Sequence, residues 1–427
     1  MVVTPAVLDR TAPLRRALGL LAQPGAVDPA AVLQAWEAAH ADPSTRPAAR
    51  AAAPGLIRAM RRKAFQLSAP PEAPALRRHA GRLADRVRRE SEVPALRAEL
   101  RLEALLARLD DGQVPDTDEL HEQLAPVLAV ADAFLPGPGL PGGENPLEDL
   151  SVAARLLAGA LGVLLHRTLH NDDVDSPLAL GPRAFLAPLT RSTAYRLVTT
   201  PLRPDRPAPP AGPARRVLLV HGENTNFVAD LTRRIEASGA HLRVLDLTAP
   251  PEGLAVPGFG PLVAERLARA TGRADAVPST APAPASPAAE LLAWADLVVV
   301  DWAMEAAIWA SLHVPDTARL AVRLHRIEAF SVQAHVIDYG RVDDLVLVGD
   351  HVVALAREAL PLRPDQRVHV VPVVQQFDRY PTTKTDRASR TLALVGWAVP
   401  VKDVGWALEV LEGLRAHDPA WRLLLVG

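Results

Sequence analysis

The chain has 427 residues, which is long enough for two or three domains, and 49% of them are apolar, so a sizeable core can form. The net charge of −2 gives no general case for nucleic-acid binding, and the absence of cysteine excludes disulfides and thiolate metal sites. The N-terminus lacks a basic segment followed by a long apolar run, and the chain lacks a stretch of ~18 apolar residues. A cytoplasmic protein without a membrane span is therefore expected.

Residues 1–200 are predicted to be all-helical, because Ala, Leu and Arg dominate the region and all three favour helix. Breaks rich in Pro and Gly divide it into six or seven helices; they lie near Ala22–Asp28, Ser68–Pro74, Val114–Asp116 and Pro136–Pro146. The Arg-rich faces fit solvated helix surfaces, and contact with an acidic partner or peripheral contact with a membrane surface is the alternative.

His166 and His170 are four residues apart near the end of this region and precede Asn171, Asp172 and Asp173. Two histidines at this spacing share a helix face and can bind a metal. However, the first His is not followed by the Glu of the metalloprotease motif, and a helix C-terminus favours histidine without any metal. We expect no metal here and no cofactor elsewhere.

Residues 201–214 are predicted to be a semi-extended linker, since residues 201–213 contain six prolines. Residues 215–385 then alternate apolar runs with helical stretches, which predicts an α/β domain with a doubly wound parallel sheet. The predicted strands are residues 215–220, 241–247, 296–301, 320–324, 345–348 and 368–373.

Ionisable residues follow the fourth of these strands, because Leu324 is succeeded by His325, Arg326 and, two residues later, Glu328. Ligands bind at the carboxyl edge of an open parallel sheet. Glu223 and Asn224, after the first strand, are expected at the same edge, where turn residues are equally common. The first strand is not followed by G-x-G-x-x-G and the chain contains no GxxxxGK[ST], which argues against dinucleotide and P-loop sites.

Residues 389–427 begin a second strand–helix–strand unit, TLALVGWAVPVKDVGWALEVLEGLRAHDPAWRLLLVG from Thr391 onwards. This segment resembles the opening of the C-terminal, Rossmann-like domain of retaining family 4 glycosyltransferases, which have the GT-B fold. The matching residues are Gly396, Pro400, Lys402, Asp403, Asp418, Pro419 and Gly427. The segments VRLHRIE and VDDLVLVGDH look like the acceptor-side domain of the same family. The resemblance covers residues 215–427, and it implies that the donor-side domain is incomplete.

The resemblance also implies roles for residues. Lys402, one of only three lysines in the chain, takes the place of the lysine that holds the donor diphosphate, next to Gly396. His325 matches the histidine near the donor sugar, and Arg326, Glu328, Glu223 and Asn224 are expected to line the acceptor side of the cleft. Trp397 stands where the family has an arginine.

The expected function is therefore transfer of a sugar from a nucleoside diphosphate sugar to a hydroxyl of a saccharide, lipid or small molecule. The family resemblance implies retention of configuration and no essential metal. The alternative is a non-catalytic binding or scaffold protein with a degenerate or truncated glycosyltransferase-like domain, in which the helical half is the working part.

Overall fold

The computed structural model of the chain describes residues 12–23, 25, 27–66, 72–136, 146–170, 176–204, 212–222, 225, 227–251, 254, 257–373, 383, 385, 387–396 and 402–427. The first part is helical, as predicted. Its long helices are α1 (Ala12–Ala22), α2 (Pro29–Ala41), α3 (Arg46–Gln66), α4 (Glu72–Glu90), α5 (Pro94–Asp110), α6 (Thr117–Ala133) and α7 (Pro146–Leu164). Four short helices follow: α8 (Pro177–Leu180), α9 (Pro182–Phe185), α10 (Ala187–Arg191) and α11 (Thr193–Thr199).

Local capping explains several helix starts. The Asp28 carboxylate accepts a hydrogen bond from the Ala30 N–H with Pro29 at the first helical position, and the Asp116 carboxylate accepts one from the Glu119 N–H. Such side chains satisfy N–H groups that have no partner within the helix, and proline lacks the N–H altogether. The starts of α2 and α6 therefore follow directly from residue types at the helix ends.

The second part is an α/β unit with six parallel strands, which confirms the predicted parallel sheet preceded by an all-helical region. The strands are β1 (Arg216–His221), β2 (His241–Asp246), β3 (Leu297–Asp301), β4 (Arg319–Leu324), β5 (Asp344–Leu347) and β6 (Arg367–Val370). The helices are α12 (Val228–Ala237), α13 (Phe259–Ala270), α14 (Pro287–Trp294), α15 (Glu305–His313) and α16 (Asp350–Ala359). Continuous apolar runs such as LVVV in β3 fit strands that are covered on both faces.

The strand order in the sheet is β2-β1-β3-β4-β5-β6. The chain runs outward from β1 to β2 and then crosses β1 to reach β3, so the direction of winding reverses between β1 and β3. The register places Val220 opposite Val300, and Asp301 opposite Arg323. The carboxyl ends of β1, β3 and β4 consequently lie side by side at one edge of the sheet.

The hydrophobic core forms two clusters that do not divide at residues 201–214. One cluster joins α1 to α5, from Leu14 to Ala107, while the other runs from Ala98 in α5 through α7 and the short helices into the sheet, as far as Leu360. Helix α13 packs against α7 and α11, so the later part of the helical region and the sheet share one core. A glycine allows a close approach there, since a Cβ on Gly340 would lie 2.5 Å from the Pro201 Cβ.

The last described residues form a separate two-stranded parallel sheet of β7 (Thr391–Val395) and β8 (Arg422–Val426), joined by α17 (Val404–His417). Most side chains of this unit are exposed, and Ala407 is the one buried residue in α17. Large apolar side chains on its surface are Val395, Trp406, Leu408, Leu424, Leu425 and Val426. Little of this unit is therefore buried by the described residues.

One helical stretch, Glu148–Leu169, is long and apolar enough to cross a membrane by length and composition, which the sequence analysis did not anticipate. Of its most apolar window, 61% is buried inside the protein, as in the core helix of a folded domain. The stretch includes most of α7, whose Leu157 and Leu161 belong to the core that continues into the sheet.

Candidate functional site

The point at which the strand order reverses is the natural place to look for a ligand site, because a crevice opens there at the carboxyl ends of the strands. In this chain β1 ends at His221, β3 ends at Asp301, and His325 directly follows β4. His221 and His325 are buried, and Asp301 has no exposed surface. Three ionisable side chains thus lie at the carboxyl edge of the sheet, at the ends of three adjacent strands.

Asp301 is the charged centre of this edge. Its Oδ1 accepts a hydrogen bond from Arg323 Nη1 at 3.1 Å and lies 3.5 Å from His325 Nε2. The strand register causes the first contact, since Asp301 and Arg323 are opposite each other on β3 and β4. Asp301 Oδ2 and His325 Nε2 make no hydrogen bond with any described residue. Buried polar atoms without partners are rare in folded proteins, and they mark this edge as unusual.

Three aromatic rings form a cluster beside Asp301. The ring centroids of Trp302 and His325 are 4.1 Å apart with an interplanar angle of 25°, and the Phe227 ring lies 5.2 Å from His325 and 6.0 Å from Trp302. The Arg323 guanidinium lies 5.4 Å from the centroid of Phe227. Rings held by each other and by a cation keep fixed orientations, and such faces can stack on a sugar or a base.

Trp302 carries backbone strain. Its φ of 71° is in the left-handed region, where bulky residues are seldom found, and its Nε1–H has no hydrogen-bond partner among the described residues. Such a conformation costs roughly 1–3 kcal/mol and persists where the surroundings force it, often at functional sites. Here the ends of β3 and β4 are fixed to each other, so the chain must turn sharply at Trp302.

Glu328 fixes those two strand ends. It has no exposed surface, and its two carboxylate oxygens accept hydrogen bonds from the backbone N–H of Ala303, at 2.5 Å, and of His325. Burial raises the pKa of Glu328 to about 8, although these two hydrogen bonds oppose the shift. The expectation that Glu328 lines the cleft therefore needs correction, because its carboxyl group faces the backbone and holds His325 in place.

The raised pKa of Glu328 predicts a pH-dependent stability. Between 4.5, its ordinary value, and about 8, the unfolded chain has lost this proton while the folded chain retains it. Glu328 thus makes its full contribution to stability below pH 4.5, where both states hold the proton. The free energy of unfolding should fall as the pH rises from 4.5 to about 8, and it should level off above that range. Urea unfolding of the unmodified chain and of Glu328→Gln across the window measures this, because the difference between the two should change with pH. A difference that stays constant from pH 4.5 to 8 would contradict the assignment.

The other predicted residues lie at the carboxyl end of β7. Gly396 directly follows the strand with a φ of 72°, a conformation that suits glycine, and its N–H donates to the Val426 carbonyl at 2.6 Å. Lys402 is exposed, and its side chain lies over this turn, with Cε 3.9 Å from where a Cβ on Gly396 would be. Asp403 caps α17 by accepting from the Trp406 N–H at 2.9 Å. The structure thus brings Lys402 and Gly396 together.

The structure separates the predicted residues into two groups. His325, Arg326 and Glu328 share one turn after β4, with Arg326 half-buried, whereas Gly396 and Lys402 lie close together after β7. Glu223 and Asn224 lie outside the described residues, as do Trp397 and Pro400. Sequence reasoning missed Asp301, Trp302, Arg323 and Phe227. The sequence did contain a signal for Asp301 and Trp302. Both come directly after the apolar run Leu297–Val300, just as His325 comes directly after Leu324.

The histidine pair near the end of the helical region is structural. His166 is not on a helix face with His170, because α7 ends at Leu164 and a short 3₁₀ turn, Arg167–Leu169, separates them. His166 Nε2 lies 3.1 Å from Asp110, and the His170 ring bonds to Ser176 and the Leu164 carbonyl. Within the described ranges, no three potential ligands are grouped to hold a metal ion.

Chemically, the carboxyl edge offers an imidazole beside a carboxylate, with aromatic faces next to both. An imidazole in contact with a carboxylate can orient a hydroxyl group or exchange a proton with it. Comparison of the chain with protein-family models, with curated proteins and with solved structures finds no match. The arguments for function below therefore rest on the residues and their geometry.

Proposed function

We propose that the protein is a glycosyltransferase that moves a sugar from a nucleoside diphosphate sugar to a hydroxyl group. The observation that carries the proposal is the position of His325, which follows β4 beside the strand-order reversal, with Nε2 3.5 Å from the Asp301 carboxylate. The fold class, a parallel α/β sheet, is compatible with the Rossmann-like, doubly wound acceptor domain of a GT-B enzyme. We place the protein in the cytoplasm, with peripheral membrane contact as an open alternative.

Each residue then has a role. His325 orients the sugar or the attacking hydroxyl, and the ring of Trp302 supports it from one side. Arg326, with Glu223 and Asn224, lines the acceptor side. Lys402, on the turn that contains Gly396, stabilises the leaving diphosphate by its charge, since preorganised cations are effective where negative charge develops. Retention of configuration and independence of a metal are what the resemblance to family 4 glycosyltransferases implies for this reaction.

The proposal is tested by calorimetric titration of the full chain with UDP- and GDP-sugars. We expect saturable binding of one class of donor, weakened about tenfold or more in Lys402→Ala, because one charged hydrogen bond to phosphate contributes about 1.5–3 kcal/mol. Arg415→Ala is the matched control, since Arg415 is an exposed cation in the last turn of α17, at the end of the helix farther from Lys402. Equal donor affinity in the two variants would remove Lys402 from the donor site.

One observation favours the second candidate, a non-catalytic binding protein. The unpartnered polar atoms of Asp301, Trp302 and His325 are buried, so a ligand reaches them only if neighbouring side chains move. In a scaffold protein the same cluster would serve only to join β3 and β4. The titration separates the candidates, because a scaffold should bind neither UDP- nor GDP-sugars saturably.

A further inference from the structure

A second potential site lies at the junction between the helical region and the α/β unit. It is a cavity of about 680 Å³, within the range of small-molecule sites. Its walls come from α3, α5, α7 and the start of α13, together with the Val277–Pro278 turn. The cavity is independent of the carboxyl edge proposed for sugar transfer.

The cavity has two chemically different linings. The larger is apolar and consists of Leu102, Leu106, Ala154, Ala158, Gly159, Pro261, Ala264, Val277 and Pro278. The other is a charged row of Arg58, Arg61, Arg155, Glu99 and Glu103. An apolar wall beside a charged row is suited to a molecule that itself has an apolar part and a charged part.

The charged row has unused donors. Both hydrogen bonds that Arg58 makes with described residues use Nη1, one to Glu99 at 2.8 Å and one to Glu103 at 3.1 Å. Arg155 reaches Glu99 only through Nε, at 3.6 Å. The remaining guanidinium N–H groups of these two arginines make no hydrogen bond with the residues that the structure describes, so they can meet an anion. By contrast, Glu103 is buried and is held by both Arg58 and Arg61, so its carboxylate is already satisfied.

A neighbouring cavity of about 550 Å³ shares Arg58 and Arg61 and adds Arg62, Phe65 and Asp110 to the lining. Together the two cavities are lined by four arginines and three carboxylates, so positive charge is in excess. Arg62 is exposed and makes no ion pair with the residues that the structure describes. An anionic group is therefore favoured over a cationic one at the boundary between the cavities.

We propose that the cavity between α3, α5, α7 and α13 binds a small amphipathic anion, with its hydrocarbon part on the Leu102–Ala158–Val277 wall and its carboxylate or phosphate on Arg58 and Arg155. A hydrocarbon chain in the apolar chamber contributes affinity in proportion to the area removed from water, at about 25 cal/mol per Å². The guanidinium forks supply paired hydrogen bonds that match carboxylate and phosphate oxygens. A site at this junction would also couple occupancy to the packing of α7 on α13.

Calorimetric titration of the full chain with decyl phosphate and with decanoate, each below its micelle concentration, tests the proposal. We expect saturable binding of at least one, and the comparison between them identifies the head group. 1-Decanol has only the hydrocarbon part of this chemistry, and inorganic phosphate has only the anionic part. Each should bind at least about tenfold more weakly, which corresponds to a difference in binding free energy of at least about 1.4 kcal/mol. Absence of saturable binding, or equal affinity for 1-decanol, would overturn the proposal.

Two variants locate the site. Arg155→Ala should weaken binding of the anion about tenfold without changing that of 1-decanol. Arg155 is exposed, and substitutions at exposed positions usually change stability little. Ala158→Phe should abolish binding of both by filling the apolar chamber. Arg101→Ala is the control, because Arg101 lines a different cavity with Arg88 and Arg97. If affinity is unchanged in both Arg155→Ala and Ala158→Phe, binding occurs elsewhere and the proposal fails.

Discussion

Replacement of Asp301 with alanine is expected to lower the free energy of unfolding by about 3–5 kcal/mol, the range found when one partner of a buried ion pair is removed. Asp301 has no exposed surface, and its Oδ1 accepts a hydrogen bond from Arg323 Nη1 at 3.1 Å. Among the described residues, it is the ion-pair partner of this arginine. The substitution would leave that guanidinium, which is 12% exposed, without its carboxylate partner between β3 and β4. Urea unfolding monitored by circular dichroism measures the loss.

Asp365→Ala provides the control for this experiment. Asp365 also lies near an arginine, at 3.6 Å from Arg363, but its side chain is 80% exposed. Exposed pairs contribute about 0–1 kcal/mol, because water screens the charges. If Asp301→Ala proves as mild as Asp365→Ala, the Asp301–Arg323 pair does not hold the carboxyl edge together.

Replacement of His325 with alanine should lower kcat/KM for sugar transfer by about 10²-fold or more, the usual effect of removing a positioned acid–base group. The ring belongs to the Trp302–His325–Phe227 cluster and is the imidazole that contacts Asp301. His325→Asn should recover part of the rate if the role is to orient a hydroxyl, and none if the role is proton transfer. Initial rates with a donor identified by titration measure both.

His369→Ala is the matched control for His325→Ala. His369 is on the edge strand β6, half exposed, and its Nε2 lies 2.9 Å from Asp344 Oδ1. This arrangement also pairs an imidazole with an aspartate, but it is away from the strand-order reversal. The rate should be unchanged in His369→Ala. A similar loss in both variants would indicate a general effect on the sheet and would contradict a catalytic role for His325.

Much of the fold was predictable because the sheet is built from short continuous apolar runs. The predicted strand over residues 296–301 corresponds to β3, Leu297–Asp301, and the one over residues 320–324 to β4, Arg319–Leu324. Proline and glycine mark the helix ends, so the breaks near Ala22–Asp28 and Val114–Asp116 agree with the ends of α1 and α5 and the starts of α2 and α6.

Two features of the α/β unit were not anticipated from the sequence. The first is helix α14, Pro287–Trp294, which follows a stretch rich in Pro and Ala that resembles a loop. Its start is marked in the sequence by one capping residue, Ser286, whose side chain accepts a hydrogen bond from the Ala289 N–H. Between β4 and β5 the sequence has the length of a helix, but the structure has 3₁₀ turns at Arg326–Phe330 and Gln333–His335. The carboxyl group of buried Glu328 accepts hydrogen bonds from the N–H groups of His325 and Ala303, which favours a tight turn. The contact with Ala303 is long-range and therefore not visible in local sequence.

The candidate site was predictable from the sequence only where an ionisable residue directly follows the apolar run of a strand. His325 follows β4 directly, so its place at the carboxyl edge could be inferred from sequence alone. Asp301 is the last residue of β3 and Trp302 follows it, but their importance depends on β3 and β4 being neighbours in the sheet. Phe227 joins the cluster from the chain after β1. These contacts depend on strand order, which local patterns do not encode.

Hydrogen–deuterium exchange with and without a saturating UDP- or GDP-sugar tests most directly whether the donor binds at the carboxyl edge of the six-stranded sheet. The account predicts slower exchange of amides in residues 300–304 and 325–330, which include the Ala303 and His325 N–H groups held by Glu328, and in the turn near Lys402. Unchanged exchange in all three segments, whether the donor protects other parts of the chain or none, would contradict the account.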